Sequence, residues 1–221
     1  MPDGWERLAR EDALFHIDPT LATGTIDEFR LTGVGLVDWA LEWAGPLPRR
    51  ERALEIGFGV GRNVVHLARH FERVDGVDIS PTMVALAEEH GVPQNVRLHA
   101  TDGRDLRLFE DGAFDLVFSN LVLQHVAEER VVAAYLGEIG RVLAPAGVAV
   151  IQLDTRRLGL AARALRALPD PLLPRSRRRH MRRVPRDPDW VRRTIAAAGL
   201  RVDAEQDPAS ALHWLRLRNG V

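Results

Sequence analysis

Three glycines at alternate positions, Gly57, Gly59 and Gly61, follow Glu55 where a short apolar run ends and a helical pattern begins. Glycine at such a junction lets the backbone approach a ligand closely, and free amides at a helix start suit a carboxylate or phosphate. The motif is weak by itself, because a dinucleotide fingerprint G-x-G-x-x-G would place its third glycine at position 62, which is Arg. Two carboxylates follow. Asp78 closes the next apolar run, where a carboxylate accepts from ribose hydroxyls, and Asp102, before Gly103, can accept from an exocyclic adenine amine. Each also reads as a turn aspartate. His125, in Leu123-Gln-His-Val126, has an ordinary pKa of about 6.5 that suits a general base at neutral pH, with a space-filling histidine as the alternative. His66 and His70 stand four apart, but with no zincin glutamate and no third ligand they are expected on an exposed helix face, and no metal is assigned.

These residues need elements that bring them together. Leu36, Val37, Ala40, Leu41 and Ala44 recur at helical spacing up to Gly45. Residues 52–57 read as a buried strand, followed by a helix from near Gly61 with Val64, Val65, Leu67, Ala68 and Phe71 as its apolar stripe. Residues 73–78 form a second strand, and Ser80-Pro81 caps a helix running to about His90. Further strands are expected over 96–100, 113–119 and, after a Pro145-Ala-Gly turn, 147–153, with an amphipathic helix over 131–142. Asp187-Pro188 caps a last helix that Gly199 ends, and 201–205 with 211–218 form an antiparallel pair. The alternation predicts an α/β fold with a parallel sheet covered on both faces.

Composition removes whole classes of chemistry. The 221 residues, 46% hydrophobic and with a net charge of −1, fit one globular domain and give no global positive field. There is no Cys, and all 30 basic residues are Arg. Thiol nucleophiles, Cys zinc sites, Schiff-base lysines and the lysine of a P-loop are therefore absent. No secretory signal or apolar membrane-spanning run is visible, so a cytoplasmic protein without a membrane partner is expected. Seven Arg lie within 175–186 without an aromatic residue. They read as a solvated loop, a pocket for an anionic acceptor or, less in keeping with the lack of stacking residues, a nucleic-acid contact. Trp190 and Trp214 read as packing residues.

Taken together, Leu54-Glu-Ile-Gly-Phe-Gly-Val-Gly61, Val77-Asp-Ile-Ser80, Thr101-Asp-Gly103, the segment 114–126 and Glu138 to Gly147 resemble the class I S-adenosylmethionine-dependent methyltransferases. The resemblance implies a doubly wound, Rossmann-like, seven-stranded mixed sheet whose last strand is antiparallel. It implies S-adenosyl-L-methionine as cofactor and S-adenosyl-L-homocysteine as product. Carried over residue by residue, Gly57, Gly59 and Gly61 border the methionine part and Glu55 lies near its ammonium. Asp78 holds the ribose, Ile79 and Met83 sandwich the adenine, and Asp102 with Gly103 meets its amine. Asn120 and Leu121 flank the sulfonium side. Ala146 departs from the family's glycine at that turn. The Asn/Asp-Pro-Pro-Tyr/Phe motif of amino-methylating DNA and protein enzymes is missing at 119–122, which points to O, N or C methylation of a small molecule, with the arginines of 175–186 suiting an anionic one. Segment 1–45 is expected as a helical lid, 46–221 as the methyltransferase domain, and about 154–186 as an acceptor-side insertion. Three alternatives stay open: a protein that binds the cofactor without methylating (a sensor or cyclase), an RNA methyltransferase, and a nicotinamide oxidoreductase, which would explain the glycine loop and Asp78 but not Arg62 or the later blocks. The oligomeric state is not legible.

Overall fold

The computed structural model describes residues 2–17, 24–173 and 182–220. Strands β1 (Arg52–Ile56), β2 (Arg73–Asp78), β3 (Val96–Ala100), β4 (Phe114–Ser119), β5 (Leu143–Leu153), β6 (Leu200–Gln206) and β7 (His213–Asn219) form one sheet in the order β3-β2-β1-β4-β5-β7-β6. The first five are parallel, with Leu54 opposite Asp75 on one side and Val117 on the other. β7 runs antiparallel between β5 and β6, as the closing pair requires. The mixed seven-stranded, Rossmann-like α/β fold is as expected.

Helices cover both faces because the central strands are apolar on both sides. Leu54, Ile56, Val117 and Ile151 pack with Leu136 and Ile139 of α6 (Glu129–Val142) and with Val191 and Ile195 of α8 (Pro188–Ala197). On the opposite face Ala53, Leu116, Phe118 and Val150 meet Val37, Ala40 and Ala44 of α3 (Gly33–Ala44). Trp214 stacks on Phe118 at 6.0 Å and touches Trp39, and Trp190 packs against the first core, so both are packing residues as read. Ser80 accepts from Met83 N to start α5 (Pro81–Glu89), and Asp187 accepts from Asp189 N and Trp190 N to start α8.

Three local expectations are corrected. The helix after the glycine loop is only α4 (Val64–Leu67). It ends early because the Asn95 side-chain amide donates to the carbonyls of Ala68 and Phe71, both at 2.9 Å, while Val64, Leu67 and Phe71 still reach the core. His66 is buried, not exposed; its Nε2 lies 2.8 Å from the Arg30 carbonyl oxygen. Pro145-Ala-Gly147 is not a turn before β5 but a bulge inside it: Phe114 pairs with Leu143 and Leu116 with Val148, so β5 carries extra residues between two ladder positions.

The N-terminal helices α1 (Pro2–Ile17), broken at Asp12, and α2 (Ile26–Leu31) are fastened by two side chains. The buried Arg30 guanidinium donates from Nε to Val60 O (2.8 Å), from Nη1 to His90 O (3.0 Å) and Gly91 O (2.8 Å), and from Nη2 to Ala87 O (2.8 Å). It thereby locks α2, the glycine loop and the end of α5 into one unit. Glu6 of α1 accepts from Ser80 Oγ (2.6 Å), Thr82 Oγ1 (2.7 Å) and Thr82 N (3.2 Å) at the start of α5. Those donors hold its carboxyl down at about 2.

Removing the Arg30 fork leaves four carbonyl groups short of a donor in a largely buried place. Arg30→Met is expected to lower the unfolding free energy by about 3 kcal/mol. Urea titration followed by circular dichroism measures it; a loss below about 1 kcal/mol would contradict this account of how the N-terminal helices are held.

Candidate active site

The order β3-β2-β1-β4 reverses between β1 and β4, and loops leaving the C-terminal ends of these strands enclose a cavity of about 270 Å³. Such a switch point is where open α/β sheets take ligands. The loops after β1 and β4 touch there. A Cβ on Gly57 would stand 2.2 Å from a methyl of Val122, and Gly57 has φ +75°, so only glycine fits. Leu121 on the β4 side has φ +59° without being glycine, a strained conformation of the kind found at ligand sites. Its amide donates to Gln152 Oε1 at 3.3 Å.

Asp78 joins the first two loops. Its Oδ2 accepts from Gly59 N and its Oδ1 from Ser80 N, both at 2.9 Å, and burial raises its pKa. Ile79 and Met83 continue the same wall, and Gly103 stands close enough that a Cβ would meet Ile79 at 2.7 Å. Asp102 also lines the cavity, with Oδ1 accepting from Arg104 N at 3.0 Å, the geometry of an aspartate turn. Asn120 and Leu121 form the facing wall. The structure thus brings together Gly57, Gly59, Asp78, Ile79, Met83, Asp102, Gly103, Asn120, Leu121 and His125.

Glu55 and Gly61 do not line the cavity. A Cβ on Gly61 would face the Arg30 guanidinium at 3.1 Å. Glu55 is buried, its Oε1 accepting from Asn63 Nδ2 at 2.8 Å, while its Oε2 and the Asn63 Oδ1 have no partner among the described residues. Burial pushes the Glu55 carboxyl up to about 8, against the bond from Asn63 and the nearby Arg62. Asn63 itself does line the cavity, which places Glu55 one hydrogen bond behind its wall.

His125 stands edge-on to Trp5, ring centroids 5.5 Å apart, and its Nδ1 has no partner among the described residues. Burial, helped by the charge of Arg183, pushes its pKa down to about 4, so the imidazole is neutral at physiological pH. Of the Arg-rich segment, 174–181 lies outside the described residues. Arg182, Arg183 and Arg186 run along the loop after β4: Val184 N donates to Gln124 O at 2.6 Å, and Arg186 donates to the carbonyls of Val126 and Ala127.

Sequence reasoning missed several residues at the site. Trp5 and Ile17 of α1 reach the cavity, and Glu6 holds that helix in place. Tyr135, the chain's one tyrosine, lines it from the buried face of α6, where burial and then the charges of Asp102 and Asp78 push its phenol up to about 12. A lone aromatic with a hydroxyl on an otherwise apolar helix face was the available signal. Beyond the neighbouring Arg10 nothing local marks Glu6, whose partners Ser80 and Thr82 lie more than 70 residues away.

Residues 54–151 match a family described as "Methyltransferase domain". The chain is 30% identical over 162 residues to ajmaline N-methyltransferase of Rauvolfia serpentina, covering 69% of this chain and 54% of that protein. It is 31% identical over 150 residues to 2-methyl-6-phytyl-1,4-hydroquinone methyltransferase of Synechocystis sp., covering 65% of this chain and 45% of that one. The chain thus spans about half the length of the curated relatives it matches. Among solved structures, DhpI in complex with SAH superposes with a TM-score of 0.64 at 23% identity, covering 99% of this chain and 97% of that one. The [4+2]-cyclase SpnF superposes with a TM-score of 0.61 at 19% identity, covering 85% and 80%. At these identities both structures speak to the fold.

Glu55 gives the site a pH signature. With its folded pKa at about 8 against an ordinary 4.5, the folded protein keeps a proton that the unfolded chain releases. Stability therefore falls as pH rises between about 4.5 and 8, and is not further changed above that window. Glu55→Gln, uncharged throughout, is expected to flatten this limb in thermal melts, with the gain over wild type growing toward pH 8 and vanishing near 4.5. Parallel curves for the two proteins would refute the buried, protonated carboxyl.

Proposed function

Residues 54–151 make this chain a member of the class I S-adenosylmethionine-dependent methyltransferases, and from that premise we propose that it transfers a methyl group to an oxygen, nitrogen or carbon of a small-molecule acceptor. The observation that carries the reading is Asp78, a carboxylate at the end of β2 that holds the glycine loop and still faces a cavity at the topological switch point. S-adenosyl-L-methionine, when bound, supplies an electrophilic methyl group on a sulfonium and leaves as S-adenosyl-L-homocysteine. The residues fit such a group: Asp78 keeps oxygen lone pairs for ribose hydroxyls, and Ile79 and Met83 give an apolar slot for adenine. Asn63, backed by Glu55, offers an unpaired carbonyl oxygen to an ammonium. Asn120 and Leu121 border the reacting side.

In this reading α1 is a lid. Trp5 and Ile17 close the cavity against water, and Glu6 latches the helix to α5, so the N-terminal segment must move for exchange. The protein's contribution to rate is then orientation of acceptor and methyl donor in a dry cleft. His125 is neutral and positions the acceptor through a hydrogen bond; its depressed pKa makes it a weak base for an ammonium or alcohol.

Calorimetric titration with S-adenosylhomocysteine tests the core of the proposal. Binding is expected, with NADH showing none, and Asp78→Ala is expected to weaken it on the order of 100-fold. Tight NADH binding without S-adenosylhomocysteine binding would overturn the reading. Where the cofactor binds but an acceptor screen built on apolar amines and phenols gives no turnover, the non-methylating alternative replaces it.

With an acceptor in hand, the pH profile of kcat/KM separates the two roles of His125. Its contribution is expected to stay constant from about pH 6 upward and to fall only as pH approaches 4. A limb near pH 6.5 that disappears in His125→Gln would instead make it the general base.

A further inference from the structure

Of the seven large hydrophobic side chains exposed among the described residues, four lie within thirteen positions: Leu160 (83% exposed), Leu165, Leu168 and Leu172 (69%). They lie in α7 (Leu160–Ala167), at its C-cap Leu168, and in the 3₁₀ turn that follows (Asp170–Leu172). The segment is held by Leu173 in the protein interior and by Arg166 donating to the Arg183 carbonyl. Single exposed leucines need no explanation, whereas a run of them on an anchored element does.

The charge of the same stretch is as uneven as its apolar surface. Residues 154–186 contain eleven arginines against two aspartates, a surplus of nine positive charges. The chain as a whole carries −1, so the remainder carries −10. Arg157 is exposed beside the leucines, and Arg156 is half-exposed while bonded to Asp154. Leucines that enter an apolar layer, with arginines that meet negative headgroups above it, are what an anionic membrane surface selects. A nucleic acid would match the charge but leave the leucines unused, and 154–186 offers it no aromatic residue.

We propose that α7 and its following turn dock this protein on the surface of an anionic lipid membrane, with Leu160, Leu165, Leu168 and Leu172 inserted at the interface and the flanking arginines on the headgroups. The absence of a helix long and apolar enough to cross a membrane among the described residues accords with lying on the bilayer, not spanning it. Arg166 of α7 donates to the carbonyl of Arg183, and residues 182–186 cover the loop bearing His125. Only that last consequence, an acceptor wall set beside the lipid, rests on the methyltransferase reading; the docking itself does not.

Flotation of the full chain with vesicles decides the matter. Wild-type protein is expected to float with vesicles containing phosphatidylglycerol and not with pure phosphatidylcholine. The triple variant Leu160→Ser/Leu168→Ser/Leu172→Ser, checked by thermal melting, is expected to partition about tenfold less or weaker still. Should that variant not fold, Arg157→Glu with Arg156→Gln is expected to lower binding to the anionic vesicles in the same assay. Failure of folded wild type to float, undiminished flotation of the folded triple variant, or displacement of the vesicle-bound protein by single-stranded RNA would each overturn the proposal. Titration with S-adenosylhomocysteine, independent of lipid, reports separately on the cofactor site.

Discussion

Everything on the ligand side of this sheet hangs from the carboxylate of Asp78. It is the last residue of β2, and its two oxygens accept one amide from the glycine loop and one from the start of α5. A carboxylate bonded to backbone amides fixes both segments at once, since its bonds are charge-assisted. Ser80, positioned by that bond, uses its hydroxyl twice. It accepts from Met83 N to cap α5 and donates to Glu6 to hold α1. Loop, helix and overlying segment are therefore set by one side chain, and a ligand that borrows Asp78 touches all three.

Buried charge at the site is balanced by withholding it. Glu55 and Asp78 stand near each other with no lysine anywhere in the chain, and burial raises both carboxyls. The charge of Asp78 adds to burial at Glu55, and the charge of Glu6 adds to burial at Asp78. Carboxyls whose ionisation is opposed by burial respond to a cation, which stabilises their charged forms, and offer less to an anion. The neutral state of His125 comes from the same source, burial, and Arg183 adds to it. Electrostatics in the cavity thus favour positive character on the cofactor side and tolerate negative character only toward the arginines beyond His125.

The glycine loop, the capped starts of α5 and α8, and the closing antiparallel pair were legible because their signals are local: Ser80-Pro81 and Asp187-Pro188 state a helix start within two residues. The errors fall where a distant partner decides. The helix after Gly61 is cut short by an amide from Asn95, His66 is drawn inward by the Arg30 carbonyl, and the Pro145 segment joins a strand because β4 offers a ladder beside it. Arg30 itself bonds four backbone carbonyls 30 to 61 residues away, and carbonyls carry no sequence signal. Of the site, the walls built by strand ends could be named in advance. The roof was expected only as a helical lid over 1–45; that Trp5, Glu6 and Ile17 build it was not legible, because nothing in α1 alone says which loop it will cover.

A net charge of −1 conceals the division of this surface into a basic stretch over 154–186 and an acidic remainder. Over distances of a Debye length, about 8 Å at physiological salt, an approaching partner meets one region or the other and never the average. The basic stretch is also the part tied to the reacting side of the cavity, through Val184 on Gln124 and Arg186 on Val126. What recognises the outside of the molecule and what borders the acceptor are consequently consecutive pieces of one chain segment. The link to the loop bearing His125 is one backbone bond, Val184 N to Gln124 O, and one from the Arg186 side chain to the Val126 carbonyl, neither passing through the core.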